Sequence, residues 1–349
     1  MKNKYYDKIY VIQSYPNLTF LVNELYKQKL HVAVIVSIDK SIFKFLKKLN
    51  INNVSVFLVG NAIVYRKKIF WPIRLLYTKY IWLKIPSLKT KTLIITYANW
   101  VDIGALYLRK IKFKELQQHI AYAEKRYDIS GDKKTNFNSY QKYIQAKTNG
   151  LIENKKYCSY VKEKKVVMIG TGLVDLTKLW PNIKIYKLNN NNSINELAIN
   201  SYKIDEEFYL FIDKDLVKSN QISWLKLIKL YYNIKLIFKK KKINIVFKFK
   251  PRHFSFFKYL ILRIIGYKIL PTEAPSQLYA SQKKCVGIIG FTSSSMSVDY
   301  VKKLISLSTL KNTFKKSLIG NIESMKQRNE SQSDKIIFIE DLSQLVNII

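Results

Sequence analysis

Residues 8–59 read KIYVIQSYPNLTFLVNELYKQKLHVAVIVSIDKSIFKFLKKLNINNVSVFLV. Three short apolar runs stand out: Lys8–Ser14 (KIYVIQS), His31–Ser37 (HVAVIVS) and Val54–Val59 (VSVFLV). They are rich in Val and Ile and show no sustained polar face, the pattern of strands covered on both sides. Between them, over Leu18–Gln28 and Lys40–Leu49, apolar residues recur at helical spacing. Strands alternating with helices in this way predict βαβ units and a parallel sheet.

Working outward, Leu93–Thr96 (LIIT) adds a strand and Gln118–Ala123 another. Gly131–Gly150 is polar and rich in Asn and Lys, and reads as a long loop with some helix. The pattern then restarts. Lys165–Gly170 (KVVMIG), Lys184–Leu188, Glu207–Ile212 (EFYLFI), Ile243–Phe249 (INIVFKF) and Val286–Ile289 (VGII) are expected strands, with a long helix over Asn220–Lys240. A helix is expected over Ser297–Leu307, and Lys335–Ile339 and Leu342–Ile348 close the chain. The expected fold class is α/β, with two Rossmann-like domains facing a cleft. A linker near residues 150–163 divides the chain into residues 1–155 and 156–349.

The chain has 349 residues, 48% of them hydrophobic, enough for two cores. With 7 Pro and 10 Gly, collagen-like and linker-rich architectures are excluded. Lys and Arg number 61 against 24 Asp and Glu, a formal charge of +37. Abundant Lys, Asn, Ile and Tyr are the usage of AT-rich genomes, yet a chain so short of acids is drawn to polyanions. The two cysteines, Cys158 and Cys285, lie in different halves, so neither a disulfide framework nor a cysteine zinc site is expected. The N-terminus makes a poor signal peptide, and no run of 18 apolar residues occurs. A cytoplasmic location is expected, with membrane contact only peripheral. Tyr65–Lys91 interleaves cations with Phe70, Trp71, Tyr77, Tyr80 and Trp82, and is the expected contact with an anionic cytoplasmic leaflet.

Among the motifs, Gly170-Thr171-Gly172 follows a strand, but Asp175 stands where a dinucleotide fingerprint needs its third glycine. Asp213-Lys214-Asp215 is formally a DxD, and a lysine between the acids argues for a turn over a cation site. Lys248-Phe249-Lys250-Pro251-Arg252-His253 ends a strand with three cations and an imidazole, and Pro251 stops further pairing. Strand C-terminal ends are where open α/β sheets place ligands, so this cluster can neutralise a phosphate. Gly290-Phe291-Thr292-Ser293-Ser294-Ser295-Met296 follows Val286–Ile289. Hydroxyls and free N–H groups at a helix start form an anion site. Glu273, in LPTEAPSQLY, ends an acid-free stretch running from Leu216 to Thr272. Its carboxylate can accept from a ribose or a base, or cap the helix that follows. Glu124, Asp128 and Asp132 follow a strand, and any of them can serve as general base on an acceptor hydroxyl or pair with Lys125 and Arg126. Asp102 is the next candidate. Three scattered histidines exclude a metal triad.

Several of these segments resemble bacterial sialyltransferases of the lipooligosaccharide and polysialic-acid type. Lys250-Pro251-Arg252-His253 is similar to that family's K-x-H-P-R-like motif, although His253 follows Arg252 and no proline follows it. Ser293-Ser294-Ser295 resembles its Ser-Ser/Thr motif, and Pro271-Thr272-Glu273 its P-x-E segment. Leu210-Phe211-Ile212-Asp213-Lys214-Asp215-Leu216 resembles a family phrase before the long helix, and Gln13-Ser14-Tyr15-Pro16 its N-terminal strand exit. The family's acid–acid–Gly motif is not intact, and Glu124 with Asp128 to Asp132 are its candidates.

The resemblance implies a GT-B enzyme that moves sialic acid or a related nonulosonic acid from a CMP-sugar to a lipooligosaccharide or capsule glycan, with inversion. CMP-sugar is then a co-substrate, and neither cofactor nor metal is expected. Lys250, Arg252, His253, Glu273, Ser293, Ser294 and Ser295 would bind the donor. Asp128, Glu124, Asp132 and His253 would be the catalytic candidates. The competing class is a basic nucleic-acid-binding protein without enzymatic activity, favoured by charge and by stretches such as FKFKPRHFSFFKY, and opposed by the lack of any recognition motif.

Overall fold

The computed structural model describes residues 4–12, 18–27, 29–37, 39–60, 73–96, 101–120, 152, 158–169, 183–188, 195–214, 216–217, 220–250, 254–291, 303–314 and 336–349. The chain divides near residue 191 into two compact units.

The first unit holds strands β1 (Lys4–Ile12), β2 (Val32–Ser37), β3 (Val54–Val59), β4 (Leu88–Thr96), β5 (Glu115–Ile120), β6 (Glu163–Ile169) and β7 (Lys184–Leu188). With them run helices α1 (Leu18–Lys27), α2 (Lys40–Leu49), α3 (Arg74–Lys84) and α4 (Val101–Lys110). All pairings are parallel, in the order β3-β2-β1-β4-β5-β6-β7. Every residue of β2 is buried, which is why VAVIVS shows no polar face. Asp39 starts α2 by accepting from Ser41 N–H at 3.1 Å and Ile42 N–H at 3.4 Å, and Asn50, in the left-handed region at φ 45°, ends it. His119 of β5 is 4% exposed, between the edges of Tyr10 and Phe20. Burial, with Lys8 nearby, holds its imidazole down to about 3, so it packs as a neutral ring.

This pairing moves the expected domain boundary. The strands read at 165–170 and 184–188 were expected to open the second domain, at 156. As β6 and β7 they instead extend the first sheet from β5, with Glu115 opposite Glu163 and Lys165 opposite Lys184. The ion pair between Lys165 and Glu115, 2.7 Å, ties β6 to β5 as well.

The second unit holds α5 (Glu196–Asn200), β8 (Phe208–Ile212), α6 (Trp224–Lys240), β9 (Ile245–Lys248), α7 (Phe256–Ile265), β10 (Lys268–Ile269), α8 (Ser276–Ala280), β11 (Cys285–Gly290), β12 (Lys303–Ser306), β13 (Ile336–Phe338) and α9 (Leu342–Ile348). Its sheet is also parallel, in the order β10-β9-β8-β11-β12-β13. The α/β class with two parallel sheets is therefore as the sequence predicts. Ser223 and Ser255 start α6 and α7, each accepting from the N–H three residues on, and Gly266 at φ 92° ends α7. The helix expected over Ser297–Leu307 is displaced at its end by β12. Leu304, Ile305 and Ser306 are buried between β11 and β13, and that pairing overrides a pattern readable either way.

Candidate functional site

In both sheets the strand order runs outward in one direction and then reverses, between β1 and β4 and between β8 and β11. Open α/β sheets bind ligands outside the strand C-termini at such reversals. In the second sheet Ile212 at the end of β8 pairs with Gly290 of β11 on one side and Lys248 of β9 on the other. The exits of β9 and β11, from which the basic and serine-rich segments leave, are thus one strand apart, with β8 between them. They are not on adjacent strands.

Asp213 occupies the centre. Its N–H donates to Lys248 O at 3.0 Å, and its side chain turns inward. Lys258 Nζ, from α7, lies 2.5 Å from Asp213 Oδ1, and Tyr231 OH, from α6, donates to the same oxygen at 3.0 Å. The lysine also sits 5.4 Å above the Tyr231 ring. The acid of the DxD-like pattern is therefore occupied by a cation of its own chain. Asp215 lies outside the described residues.

Lys248, the last residue of β9, is 1% exposed. Its Nζ donates to Phe249 O at 2.8 Å and Thr272 O at 3.2 Å. Burial pulls the ammonium down to about 7, against the opposing pull of the Glu273 carboxylate. One buried cation thus fastens the Thr272–Glu273 turn to the strand that leads into Lys250. Glu273 is half-buried. It also acts on Tyr202 and Tyr279, an edge-to-face pair 6.2 Å apart. Burial raises both phenols, and the Glu273 charge adds to the rise.

The exit of β11 is fixed by hydroxyls of the neighbouring strand. Ser306 Oγ donates to Phe291 O at 2.7 Å, Ser308 Oγ bonds the same carbonyl, and the two hydroxyls are 2.8 Å apart. Leu307 N–H donates to Gly290 O at 2.8 Å. Beneath the exits Phe211 stacks on Phe247 at 5.0 Å and meets Phe291 edge-on at 6.1 Å, a rigid aromatic floor.

Of the sequence-predicted site residues, Lys250 and Glu273 fall at this edge, on either side of Lys248. Arg252, His253, Ser293, Ser294 and Ser295 lie outside the described residues, as do Glu124, Asp128 and Asp132. One feature escaped sequence reading, and another was read for the wrong role. Lys258 looks like an ordinary helix lysine, and nothing in its spacing betrays an ion pair 45 residues away. Lys248 was counted with the phosphate-neutralising cluster, whereas its ammonium is buried on carbonyls of its own chain, the reason a lysine can stand inside the apolar run INIVFKF. A cavity of about 550 Å³ lined by Tyr232, Lys235, Lys239, Lys242 and Asn244 opens where β9 begins, the opposite edge of the sheet. Among the described residues no cluster of His, Cys, Asp and Glu could hold a metal ion, and no helix is long and apolar enough to cross a membrane.

No family model matches the chain, and no curated protein matches it. Solved structures similar to it include an α/β-galactoside α-2,3-sialyltransferase from Photobacterium phosphoreum. That protein is 15% identical, with 100% of each chain covered and a TM-score of 0.48. A sialyltransferase from Photobacterium damselae, in a fragment corresponding to its GT-B domain, is 11% identical over 95% of this chain and 99% of that one, with a TM-score of 0.49. A UDP-GlcNAc 2-epimerase from Methanocaldococcus jannaschii is 15% identical over 97% and 91%, with a TM-score of 0.44. Transferases and an epimerase stand side by side among these similar structures, so they do not choose a chemistry.

Proposed function

We propose that the protein is an inverting glycosyltransferase that moves a nonulosonic acid, such as sialic acid, from a CMP-sugar to a membrane-linked surface glycan. The observation that carries this reading is that β9 and β11 end together on either side of β8, with the Thr272–Glu273 turn fastened to β9 by Lys248. These strand ends lead into the basic and serine-rich segments beside the strand-order reversal, where a nucleotide phosphate is most readily held.

The chemistry asks two things of the chain. As the sugar leaves CMP, its anomeric carbon gains oxocarbenium character and negative charge grows on the departing phosphate. Lys250, Arg252 and His253, with Ser294 and Ser295, would stabilise that charge. Glu273 would accept hydrogen bonds from the ribose or base. A carboxylate among Glu124, Asp128 and Asp132 would take the acceptor proton, in a single displacement that inverts the carbon. No metal takes part in this scheme, and the enzyme works at the inner face of the cytoplasmic membrane.

Thermal melting with CMP tests the reading first. CMP is expected to raise the melting temperature and single-stranded DNA to leave it unchanged. The reverse result would favour a nucleic-acid binder. A panel of CMP-sugars, assayed for CMP release with EDTA present, then names the donor. Transfer abolished by EDTA and restored by magnesium or manganese would overturn the metal-free scheme.

A further inference from the structure

Helix α7 is apolar on both sides. Its core-facing side carries Lys258, 5% exposed, beside Leu262, 0% exposed. Its outer side carries Phe256 at 66%, Phe257 at 59%, Leu260 at 43% and Ile264 at 85% exposed. Spacings of three, four and seven residues put these four on one stripe. The patch continues onto the start of α6, where Trp224 meets the Phe257 ring edge-on at 5.5 Å and Leu225 is 82% exposed. Exposed large apolar side chains are ordinary when scattered, but a continuous stripe marks a surface that meets something.

The charge around the stripe says what. From Leu216 to Thr272 there are 14 Lys and Arg and no acid. Lys229, one turn beyond Leu225, and Arg263, on the α7 stripe itself, are exposed. Rings that insert into the headgroup boundary, on a segment that carries cations and no acid of its own, complement an anionic lipid surface. A second protein of mixed charge would find no acidic partner for its own basic groups in this stretch.

We propose that the outer stripe of α7, with the first turn of α6, is the surface on which this protein docks to an anionic lipid leaflet. This assignment rests on the reading of a membrane-linked acceptor for its purpose, but its test does not. It also differs from the contact expected at Tyr65–Lys91. In the described part of that stretch, Leu76, Tyr80 and Leu83 of α3 are exposed too, so α3 serves as the comparison.

The experiment is co-sedimentation of the full chain with vesicles of phosphatidylglycerol in phosphatidylcholine, against phosphatidylcholine alone, at low salt. The wild type should bind the anionic vesicles only. Phe257→Ser with Ile264→Ser should weaken binding at least tenfold, Lys229→Gln and Arg263→Gln roughly fivefold each, and Leu76→Ser with Leu83→Ser little. Circular dichroism melting checks that each variant is folded. Binding unchanged in the two α7 variants, or lost equally in the α3 variant, would overturn the assignment. So would ultracentrifugation showing a dimer that the α7 variants dissociate, because the stripe would then be covered by a second copy. CMP release with a water-dissolved acceptor should be the same in the α7 variants and the wild type, so failure of vesicle binding and failure of the transferase reading are separately visible.

Discussion

Lys258 Nζ and Asp213 Oδ1 are 2.5 Å apart, with the lysine side chain 6% and the aspartate side chain 0% exposed. The pair bolts α7 to the end of β8, beneath the candidate site. Two charges taken out of water together hold each other, and either one left alone is costly. Lys258→Met and Asp213→Ala should each destabilise the protein by about 3–5 kcal/mol. The combined variant should lose less than the sum of the two. Chemical denaturation of the three variants reads this directly, and additive losses would show that the two groups do not hold each other.

Lys248 links stability to pH. In the unfolded chain a lysine keeps its proton to about 10.4, whereas burial brings this one down to about 7. Between these values the unfolded chain binds more protons, so the contribution of this group to stability rises with pH. Below about 7 both states are protonated and the burial penalty is complete and constant. Relative to Lys248→Met, the wild type should therefore gain stability from pH 7 upward, with a slope approaching about 1.4 kcal/mol per pH unit. A flat difference across pH 6 to 9 would mean that the folded lysine stays charged.

Ser294→Ala and Ser295→Ala should each weaken CMP binding while leaving the melting temperature of the free protein unchanged. A hydrogen bond to a charged group contributes about 1.5–3 kcal/mol, so each loss should exceed tenfold in affinity. Calorimetric titration of CMP measures it. Unaltered affinity in the double variant would remove both serines from the site.

Replacement of Glu124 by Gln, and of Asp128 and Asp132 by Asn, should single out the base. That variant should keep its affinity for the CMP-sugar and lose about 10²–10⁴ in turnover. Asp128, three residues before Gly131, is the first choice. Near-normal turnover in all three would move the search to Asp102.

Gly287 of β11 lies against the ring of Tyr209 on β8. A Cβ there would overlap that ring and come within 3.1 Å of Lys303 O. The ring cannot retreat freely, because Phe238 packs against it edge-on at 5.2 Å. Gly287→Ala should cost about 1–3 kcal/mol, the usual penalty of overpacking, seen as a lower melting temperature.

Much of the architecture is legible in local chemistry. Strands β1, β2, β8, β9 and β11 announce themselves as short Val/Ile/Phe runs because most of their residues are buried, whereas β3, at the sheet edge, is apolar yet only half-buried. The helices between them follow from apolar spacing, and α6 and α7 each begin one residue after a capping serine. Helix α7 is harder to read, since FFKYLILRII carries apolar residues on its outer side as well as toward the core. For the candidate site, the basic exit of β9, Glu273 and the serines after β11 could all be picked out by residue type.

What composition and spacing could not decide is which distant groups meet. Residues 165–170 and 184–188 read as strands from their own side chains. Their membership of the first sheet is set by pairing of β6 with β5, more than 40 residues away in the chain, and of β7 with β6. The same holds for Lys258 with Asp213, and for Lys248 with the carbonyl of Thr272, 24 residues on. A lysine on a helix and a lysine on a strand look alike in sequence, because each is charged and neither is periodic with its partner. Side-chain chemistry along the chain determined the elements of this protein and its excess of positive charge. Long-range pairing, in which burial makes an unmet charge or backbone group costly, decided where the first unit ends and which cations are structural.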